Sequence, residues 1–406
     1  MIFRGWVEDI KDVGKVKFII LHTSKEDYQV TCRKDLVENF EELEKLTLQS
    51  AIEVEGELLE KSISKKYKEI LAKKIKIISL APNILPIDPS GKVSYSLDKK
   101  LDWRFLDFRN HKTLSIIKIQ NTILRSFRDF FSKEGFIEIQ PPIIISSASE
   151  GGADLFKISY FEKEAYLAQS PQLYKQMAAI GLEKVFCIVP IFRAEKHNTL
   201  YHLNEVRSLD IEVAFANHED VMKYLERFFV YTLERIQNEN ENELKELNVK
   251  LNIPQLPLDR IKYEEAIQIL NLNFGDEIKR EHEKMLCEKI SEALFIIHFP
   301  KEHRPFYTML NDENKNITNS FDFLYKGLEL ASGAQRIHIP ELLEIRLIEN
   351  NLDPNNFKEY IEAFKYGAPP HAGWAIGLER FTMKVCNLEN IREATMWPRD
   401  RFRLNP

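Results

Sequence analysis

The stretch 192–213 limits the possible folds more than any other part of the chain, because two alternating runs flank a polar turn. Arg193 and Glu195 close the first run, and the second run carries Asp210 and Glu212. In a strand, residues i and i+2 point to the same face, so we expect Arg193 and Glu195 to project into one site. An arginine fork suits a phosphate or carboxylate, and a neighbouring glutamate can accept from an amine. The pair suits a site for a nucleotide and an amino acid, but a lone Arg-x-Glu is more often a solvent-facing ion pair.

Composition narrows the class of protein. With 406 residues, 44% hydrophobic and 30% charged, the chain is predicted to form a globular protein of two or three domains. We expect no membrane span and a cytoplasmic location, because no apolar run approaches about 20 residues and the N-terminus lacks a signal-peptide pattern. The four cysteines are far apart, which argues against structural zinc and a disulfide framework. A net charge of −6 gives no global positive field, so a polyanion would have to bind local basic patches.

Residues 1–82 are predicted to form a separate β domain. Short runs at 17–21, 28–31 and 51–56 have the character of strands, and a helix is expected at about 34–45. Five strands with one helix suit a barrel of the oligonucleotide-binding (OB) type. A generic small β domain fits the same pattern equally well.

A linker at 83–110, rich in proline and turn residues near its start, separates the barrel from the remaining domain at 111–406. Residues 111–135 place apolar side chains at helical spacing, which predicts a long helix that stops at Gly135. Strands and helices then mix without a regular βαβ rhythm, which predicts an α+β domain built on an antiparallel sheet flanked by helices. The sequence has no Gly-x-x-x-x-Gly-Lys-Ser/Thr loop and no convincing dinucleotide fingerprint, so any ATP must bind in another way.

Three segments resemble, in order, the signature motifs of class II aminoacyl-tRNA synthetases. They are the region of Pro142, the strand–turn–strand with Arg193 and Glu195, and 373–380, interpreted as a glycine-rich turn that opens a helix. Further segments are similar to aspartyl-tRNA synthetases of the archaeal and eukaryotic type, in subclass IIb. Those segments are 149–153, 169–176, 329–336 and 397–401. The resemblance covers essentially the whole chain, and it implies an anticodon-binding OB-fold followed by a class II catalytic domain.

The resemblance also implies an ATP site in which the protein supplies positioning and charge rather than a nucleophile. Arg193 would bridge the substrate carboxylate and the α-phosphate, and Glu195 would bind the adenine amino group. Arg380 would lie on the far side of ATP, so the two arginines are the expected catalytic residues. Mg²⁺ would bind Glu329 and Ser332, since this ion prefers hard oxygen ligands. The complete ATP set is Arg193, Glu195, Tyr201, His202, Leu203, Glu329, Gly377, Leu378, Glu379 and Arg380.

The same resemblance implies L-aspartate as the amino acid. Lys175 and Arg336 match a pair that neutralises the aspartate side chain. A neutral asparagine amide would leave buried cationic donors unpaired, which can discriminate by roughly 10⁴-fold. The aspartate set is Glu150, Gln172, Lys175, Arg193, Ser332 and Arg336. Two alternatives stay open: an asparaginyl-tRNA synthetase, and a paralogue that activates aspartate or asparagine for another acceptor.

One departure from the family pattern is Tyr201, which stands where an arginine is usual in the loop expected to approach the ATP phosphates. Tyrosine keeps a hydrogen bond there but loses a full positive charge. The sequence predicts either that a neighbouring group such as Lys196 compensates or that adenylation is slower than in relatives.

The barrel is expected to bind the anticodon of tRNA(Asp). Phe18 and Gln29 match positions that stack on or hydrogen-bond to bases, and Glu55 lies on a later strand. Core packing is the alternative for Phe18. Glu8 and Lys65 are expected to decide whether tRNA(Asn) is also charged. Glu8 stands in place of the tryptophan expected in a strict enzyme, whereas Lys65 falls near an expected lysine, so the pattern leans slightly toward the relaxed form.

A homodimer is expected as well. Pro142 and the long helix before it match the element through which class II enzymes dimerise. The alternative is a helix that packs only within its own subunit.

Overall fold

The computed structural model describes residues 1–406 apart from 63, 65, 147–154, 197–198 and 406. The chain divides into two units, Met1–Leu114 and Ser115–Pro406. Two of the predicted site residues, Lys65 and Glu150, lie outside the described residues. Among the described residues, no helix combines the length and the apolar character that crossing a membrane requires.

The first unit contains a closed barrel of five strands in the order β1-β2-β3-β5-β4, which confirms the expected OB-like fold. Neighbouring strands are antiparallel except β3 and β5, which are parallel. Apolar residues at alternate positions, such as Ile19, Val30 and Val54, are fully buried inside the barrel. The strands are β1 (Ile2–Asp12), β2 (Val16–His22), β3 (Tyr28–Arg33), β4 (Ala51–Leu58) and β5 (Lys68–Ser79).

The helix predicted at 34–45 is shorter than expected, and that prediction was wrong at its start. Only a 3₁₀ helix at Phe40–Lys45 forms. Asn39 precedes it, and the Asn39 side chain donates to the carbonyl of Ile75 at 2.6 Å and accepts from the Ile75 amide at 3.3 Å. The Glu38 amide also donates to the Lys73 carbonyl of β5 at 3.1 Å. Bonds from this segment to β5 therefore compete with helical pairing, and the preceding residues form turns.

An eight-stranded mixed sheet forms the centre of the second unit, in the order β12-β13-β14-β15-β16-β11-β10-β6. Its central pairs are antiparallel, as predicted, and the pairs at its two ends are parallel. A small sheet orders β7-β9-β8. The strands are β6 (Ile137–Glu138), β7 (Ile144–Ile145), β8 (Lys157–Tyr160), β9 (Lys163–Leu167), β10 (Lys184–Phe192), β11 (Glu205–Ala214), β12 (Asp259–Lys262), β13 (Ala293–Ile297), β14 (Ser320–Tyr325), β15 (Glu329–Arg336) and β16 (His371–Gly377).

Helices pack against this sheet, and the predicted long helix is present as α3. It ends two residues before Gly135, whose φ of +82° suits glycine. Two short helices, α1 (Leu97–Asp102) and α2 (Arg104–Asp107), belong to the first unit. The α-helices that follow along the chain are α3 (His111–Lys133), α4 (Gln172–Leu182), α5 (His218–Glu239), α6 (Glu241–Glu246), α7 (Tyr263–Leu270), α8 (Arg280–Lys289), α9 (Pro340–Glu349), α10 (Lys358–Phe364) and α11 (Leu378–Val385). Further 3₁₀ helices lie at Lys301–His303, Pro354–Phe357 and Ile391–Ala394.

The two faces of the central strands differ in polarity. Leu209 and Ile211 of β11 pack into the main core with α3 and α5, whereas Asp210 and Glu212 point to the opposite face. The core is rich in aromatic rings, with the fully buried Trp374 of β16 stacked on Phe228 at 6.2 Å between ring centroids. The opposite face is therefore free to carry polar chemistry.

The segment 373–380 was predicted as a glycine-rich turn before a helix, and the turn was wrong. Residues up to Gly377 belong to β16, which pairs with β11 on one side and β15 on the other, so its backbone groups are used in the sheet. Gly373 is required there by close approach, because a Cβ at that position would collide with the Glu212 carboxylate and the Ile211 carbonyl. The helix, α11, starts at Leu378 as predicted.

Candidate active site

Two adjoining clefts lie on the polar face of the sheet, with volumes of about 230 Å³ and about 270 Å³. We call them the first and the second cleft. Arg193, Glu329 and Ser332 line both, so they stand where the clefts meet. The first cleft is also lined by Glu195, Tyr201, His202, Leu203, Gly377, Glu379 and Arg380, and the second by Gln169, Gln172, Arg304, Tyr307 and Arg336.

Arg193 and Glu195 follow the end of β10 rather than lying inside it. The Arg193 amide donates to the carbonyl of Asn204 at 2.9 Å. The Asn204 amide side chain donates back to the carbonyls of Arg193 at 2.7 Å and Glu195 at 3.0 Å. These bonds hold the two residues on one side of the chain, so both line the first cleft. Their charged atoms are 3.8 Å apart, and 45% of the Arg193 side chain is exposed, which leaves its guanidinium open to an anion.

Arg380 reaches the junction of the clefts from α11. Its guanidinium donates to the carbonyl of Glu329 at 3.3 Å and lies 4.0 Å from the Glu329 carboxylate. Removal from water and the neighbouring Asp322 carboxylate both raise the pKa of Glu329, while Arg380 opposes them. A positive ligand at this carboxylate would relieve the same repulsion.

The sequence missed Asp322 and Arg304. Asp322 on β14 lies opposite Ser332 on β15 in the sheet, so both side chains share the polar face. The Arg304 guanidinium contacts the Asp322 carboxylate at 2.8 Å and donates to the Ser332 hydroxyl at 3.0 Å. Asp322 could have been found from the alternation of β14, where it is the polar residue between Phe321 and Phe323.

The oxygen donors near the junction fit a divalent cation. Glu329, Asp322 and Ser332 offer hard oxygens of the kind that Mg²⁺ binds. Burial, and next the Glu329 carboxylate, raise the pKa of nearby Glu283 to about 7. Carboxyls that repel one another in this way are the chemistry that a bound cation neutralises.

Buried ion pairs hold the far end of the second cleft. The Arg336 guanidinium contacts Glu212 at 2.9 Å, and the Lys175 ammonium contacts Asp210 at 2.8 Å and Glu212 at 3.6 Å. Arg336 lines the second cleft, but Lys175 is not among the described residues that line either cleft. The Lys175 ammonium contacts the two carboxylates and also donates to the carbonyl of Trp374 at 3.3 Å. Both cations therefore contact Glu212, but only Arg336 is among the described residues that line the cleft.

Two glutamines on or beside α4 differ in a way that the sequence does not show. Gln176 is fully buried and bonded on three sides: it accepts from Gln172 at 2.9 Å and Tyr360 at 3.0 Å, and its amide nitrogen lies 2.9 Å from His371. Gln169 is 1% exposed and lines the second cleft, yet neither of its amide atoms has a hydrogen-bond partner among the described residues. Buried amides are normally paired, so Gln169 is placed to bind a polar ligand.

Tyr201 has a cationic neighbour that the sequence did not indicate. The guanidinium of Arg280, the first residue of α8, lies on the face of the Tyr201 ring. Tyr201 lines the first cleft and Arg280 is not among the described lining residues, so Arg280 places a positive charge next to a cleft residue, at the position where the family pattern has an arginine.

The other predicted residues of the first cleft take different places. His202 and Leu203 line it, and burial, followed by Arg380, lowers the pKa of His202. Glu379 lines it too, but its carboxylate accepts from the Arg207 amide at 3.0 Å, and burial raises its pKa to about 7. Leu378 is buried in the main core.

Comparison with known proteins decides the family. The model for tRNA synthetases class II (D, K and N) matches residues 96–401. The chain belongs to the class II aminoacyl-tRNA synthetases. It is 45% identical to the aspartate–tRNA(Asp/Asn) ligase of Methanopyrus kandleri, over 99% of this chain and 95% of that one. It is also 45% identical to the aspartate–tRNA(Asp) ligase of Pyrococcus horikoshii, with the same coverage.

Solved structures of class II synthetases share the fold. Asparaginyl-tRNA synthetase from Pyrococcus horikoshii, complexed with asparaginyl-adenylate, matches with a TM-score of 0.94 at 32% identity, over 100% of this chain and 96% of that one. Aspartyl-tRNA synthetase from Entamoeba histolytica matches with a TM-score of 0.87 at 33% identity, over 100% of this chain and 90% of that one. The expected class II catalytic fold is confirmed.

In this synthetase, the predicted anticodon residues are spread over the barrel strands. Phe18 on β2 is half-buried and alternates with Lys17 and Ile19, which are buried, so it lies on the outer face rather than in the barrel core. Gln29 on β3 pairs with Ile20 and shares that outer face with Phe18. Glu55 on β4 is exposed and opposite Lys74.

Proposed function

We propose that this synthetase ligates L-aspartate to tRNA(Asp) in two steps that use ATP and Mg²⁺. The observation that carries the proposal is the pair of joined clefts, with Arg193 and the Glu329–Ser332 oxygens at the junction and Arg336 at the far end of the second cleft. Relatives at 45% identity that are named aspartate–tRNA ligases support the choice of amino acid.

In the first step, an oxygen of the aspartate α-carboxylate attacks the α-phosphorus of ATP and diphosphate leaves. ATP occupies the first cleft and aspartate the second, so the reacting atoms meet at the junction beside Arg193. The Arg193 guanidinium stabilises the negative charge that builds on the α-phosphate. Mg²⁺, when bound by Glu329, Ser332 and Asp322, supplies further positive charge to the phosphates. Arg380 stays near the junction through its contact with the Glu329 carbonyl.

Arg336 selects aspartate over asparagine. A guanidinium has five N–H donors, and the hydrogen bonds from Arg336 to Glu212 use two of them, on Nε and Nη2. The remaining N–H donors of Arg336 would pair with both oxygens of a carboxylate. Against a carboxamide, one of these donors would face the NH₂ group, which is itself a donor and cannot accept a hydrogen bond. Lys175 has a positioning role rather than the predicted contact with aspartate, because it holds Asp210 and Glu212 in place beneath the cleft.

Arg280 supplies the charge that the family pattern places at position 201. Its guanidinium covers the Tyr201 ring at the wall of the first cleft. Since ATP carries its negative charge on the phosphates, a cation there stabilises bound ATP as an arginine at position 201 would. Arg280, rather than Lys196, is then the group that compensates for Tyr201.

In the second step, the aspartyl group passes to the 3′-hydroxyl of the terminal ribose of tRNA, and the barrel binds the anticodon. The half-buried Phe18 and the neighbouring Gln29 present a ring face and an amide on the outer surface of the barrel, the combination that stacks on and hydrogen-bonds to unpaired bases. Relatives named for tRNA(Asp) and for both tRNA(Asp) and tRNA(Asn) are equally similar to this chain, so charging of tRNA(Asn) is a second proposal.

Aspartate-dependent exchange of diphosphate into ATP, followed by charging of purified tRNA(Asp) and tRNA(Asn), tests these steps in turn. Exchange with aspartate and not asparagine is expected, and it should be lost in Arg336→Gln. Arg346→Gln is the matched control, because Arg346 is also buried and ion-paired but lies on α9. A folded protein without aspartate exchange would overturn the proposal. Exchange without transfer to either tRNA would favour the paralogue that uses another acceptor.

We also propose that the protein is a cytoplasmic homodimer. Four free cysteines, three of them buried, suit a reducing compartment. The family resemblance of Pro142 and α3 supports the dimer. Light scattering at micromolar concentration should give twice the mass of the 47.7 kDa chain, and a stable monomer would contradict the dimer.

A further inference from the structure

Four side chains with metal-binding atoms meet in the first unit, away from the two clefts. They come from separate parts of the chain: Glu8 from β1, His22 from the end of β2, Asp27 from just before β3, and His111 from the first residue of α3. Their ligand atoms all lie within 4.8 Å of one another. Neither the family motifs nor the proposed aminoacylation uses this group of four.

Local backbone geometry explains how Glu8 joins the cluster. The pairing of β1 with β2 shifts register between Val7 and Asp9, so Glu8 sits at a β-bulge. A bulge turns its residue out of the regular alternation of the strand and re-aims the side chain. The Glu8 carboxylate consequently lies 4.0 Å from the imidazole of His22 and 3.3 Å from that of His111.

Asp27 is the fourth member of the cluster and contacts both histidines. One of its carboxylate oxygens lies 2.8 Å from Nδ1 of His22 and the other 3.4 Å from Nε2 of His111. Each carboxylate therefore faces both imidazoles. The arrangement alternates nitrogen and oxygen donors around a common centre, as the ligands of a four-coordinate metal do.

We propose that Glu8, His22, Asp27 and His111 form a structural Zn²⁺ site. Zinc bonds to histidine nitrogen and carboxylate oxygen at about 2.0–2.2 Å, so a tetrahedron places neighbouring donors about 3.3–3.6 Å apart. The four nitrogen–oxygen distances between the histidines and the carboxylates, 2.8, 3.3, 3.4 and 4.0 Å, lie on both sides of that range. Small movements of the four side chains would bring their donor atoms to the separations that a tetrahedral zinc ion requires.

Donor type and burial favour zinc over the harder ions. Mg²⁺ and Ca²⁺ take oxygen ligands in larger numbers, whereas two imidazoles with two carboxylates suit zinc. The side chains of His22, Asp27 and Glu8 are only 5%, 11% and 15% exposed, and that of His111 is 32% exposed, so the site is enclosed with one more open side. Two carboxylates bring two negative charges, which balance a divalent ion. The widely spaced cysteines argued against structural zinc, but this site contains no cysteine.

Lys66 is the cation with which zinc must compete. Its ammonium lies on the Tyr67 ring, and its pKa is raised mainly by a hydrogen bond with Tyr67 and further by the charges of Glu8 and Asp27. The alternative to a metal site is therefore a network of hydrogen bonds and ion pairs that joins the two histidines and Lys66 to the two carboxylates. Bound zinc would cross-link β1, β2, the segment before β3 and the start of α3. It would also occupy the carboxylate of Glu8, which was expected to help decide whether tRNA(Asn) is charged.

Zn²⁺ and Co²⁺ titrations of the full chain, freed of metal and without ATP or Mg²⁺, test the proposal. Zinc binding is followed by competition with a chromogenic chelator, and Co²⁺ by its visible absorption. Tetrahedral Co²⁺ absorbs strongly, whereas Co²⁺ on the oxygen ligands of the clefts would be six-coordinate and absorb weakly. The informative variants are His111→Gln and Asp27→Asn. Their controls are His282→Gln, outside the first unit, and Asp35→Asn, an exposed carboxylate in the same barrel.

We expect one zinc per chain and a tetrahedral Co²⁺ spectrum. His111→Gln and Asp27→Asn should each weaken zinc binding by at least about 10- to 100-fold, and the two controls should bind as the parent chain does. Aspartate exchange by His111→Gln should stay at the parent level, which shows that the variant is folded. A parent chain with no tetrahedral Co²⁺ spectrum, or with zinc affinity that neither variant changes, would establish the network of hydrogen bonds and ion pairs and overturn the metal site. Because exchange is measured separately, this failure is distinct from failure of the proposed aminoacylation.

Discussion

Replacing Gln169 by methionine should stabilise the free protein and at the same time weaken aspartate binding. Gln169 is 1% exposed, and its two polar amide atoms have no hydrogen-bond partner among the described residues. An unpaired buried polar group costs about 1–3 kcal/mol, and methionine fills a similar volume without one. We therefore expect a gain of about 1–3 kcal/mol in the free energy of unfolding, a rise of several degrees in Tm.

The same substitution should weaken aspartate binding. If Gln169 bonds to the charged aspartate in the second cleft, its loss removes an interaction of about 1.5–3 kcal/mol. That energy corresponds to a rise of about 10- to 100-fold in the KM for aspartate. The KM for ATP should change little, because Gln169 lines the second cleft and is not among the described residues of the first.

Gln176→Met is the matched control. Gln176 is as buried as Gln169 but is bonded to Gln172, Tyr360 and His371, so methionine would leave these partners unpaired. We expect Gln176→Met to lower Tm where Gln169→Met raises it. Differential scanning calorimetry of both variants, with and without saturating aspartate, and diphosphate exchange over a range of aspartate concentrations give the required quantities. A Gln169→Met variant with lower Tm and unchanged KM for aspartate would refute the reasoning, since Gln169 would then be a structural residue only.

Three further outcomes follow from the site. Arg280→Met should lower kcat/KM for ATP in diphosphate exchange by about tenfold or more, and adding Tyr201→Arg should restore part of the loss. An unchanged kcat/KM would show that a group other than Arg280 compensates for Tyr201. Asp322→Asn should raise the Mg²⁺ concentration for half-maximal exchange by about tenfold, and an unchanged Mg²⁺ requirement would exclude Asp322 as a ligand. The Glu379 pKa is raised from 4.5 to about 7, so its contribution to stability is complete below pH 4.5 and is lost as the pH rises to about 7. Glu379→Gln should abolish this pH-dependent loss of about 3 kcal/mol in the free energy of unfolding. If Tm of the parent and of the variant changed in parallel between pH 5 and 7.5, the prediction would be wrong.

Local pattern was enough to place several of the strands and helices. The strands around 17–21 and 28–31, the helix from His111 and the start of α11 at Leu378 were predicted from alternation, helical spacing and the family motif. Errors arose where distant residues intervene. Asn39 shortens the first helix by bonding to Ile75, and the segment before Leu378 is a strand because β11 and β15 pair with it. Neither partner is near in sequence.

The sequence by itself determined the family and the identity of residues such as Arg193, Glu329, Arg336 and Arg380, because motif order and residue type need no coordinates. The tertiary structure decided how those residues are used. It buries Lys175 in ion pairs, leaves Gln169 without a described partner while Gln176 is fully bonded, and lays Arg280 on Tyr201. It also brings His111 to Glu8, more than one hundred positions apart. The physical reason is that strand alternation and helical periodicity act over a few residues, whereas ion pairing, desolvation and metal coordination depend on which side chains the folded chain places within a few ångströms.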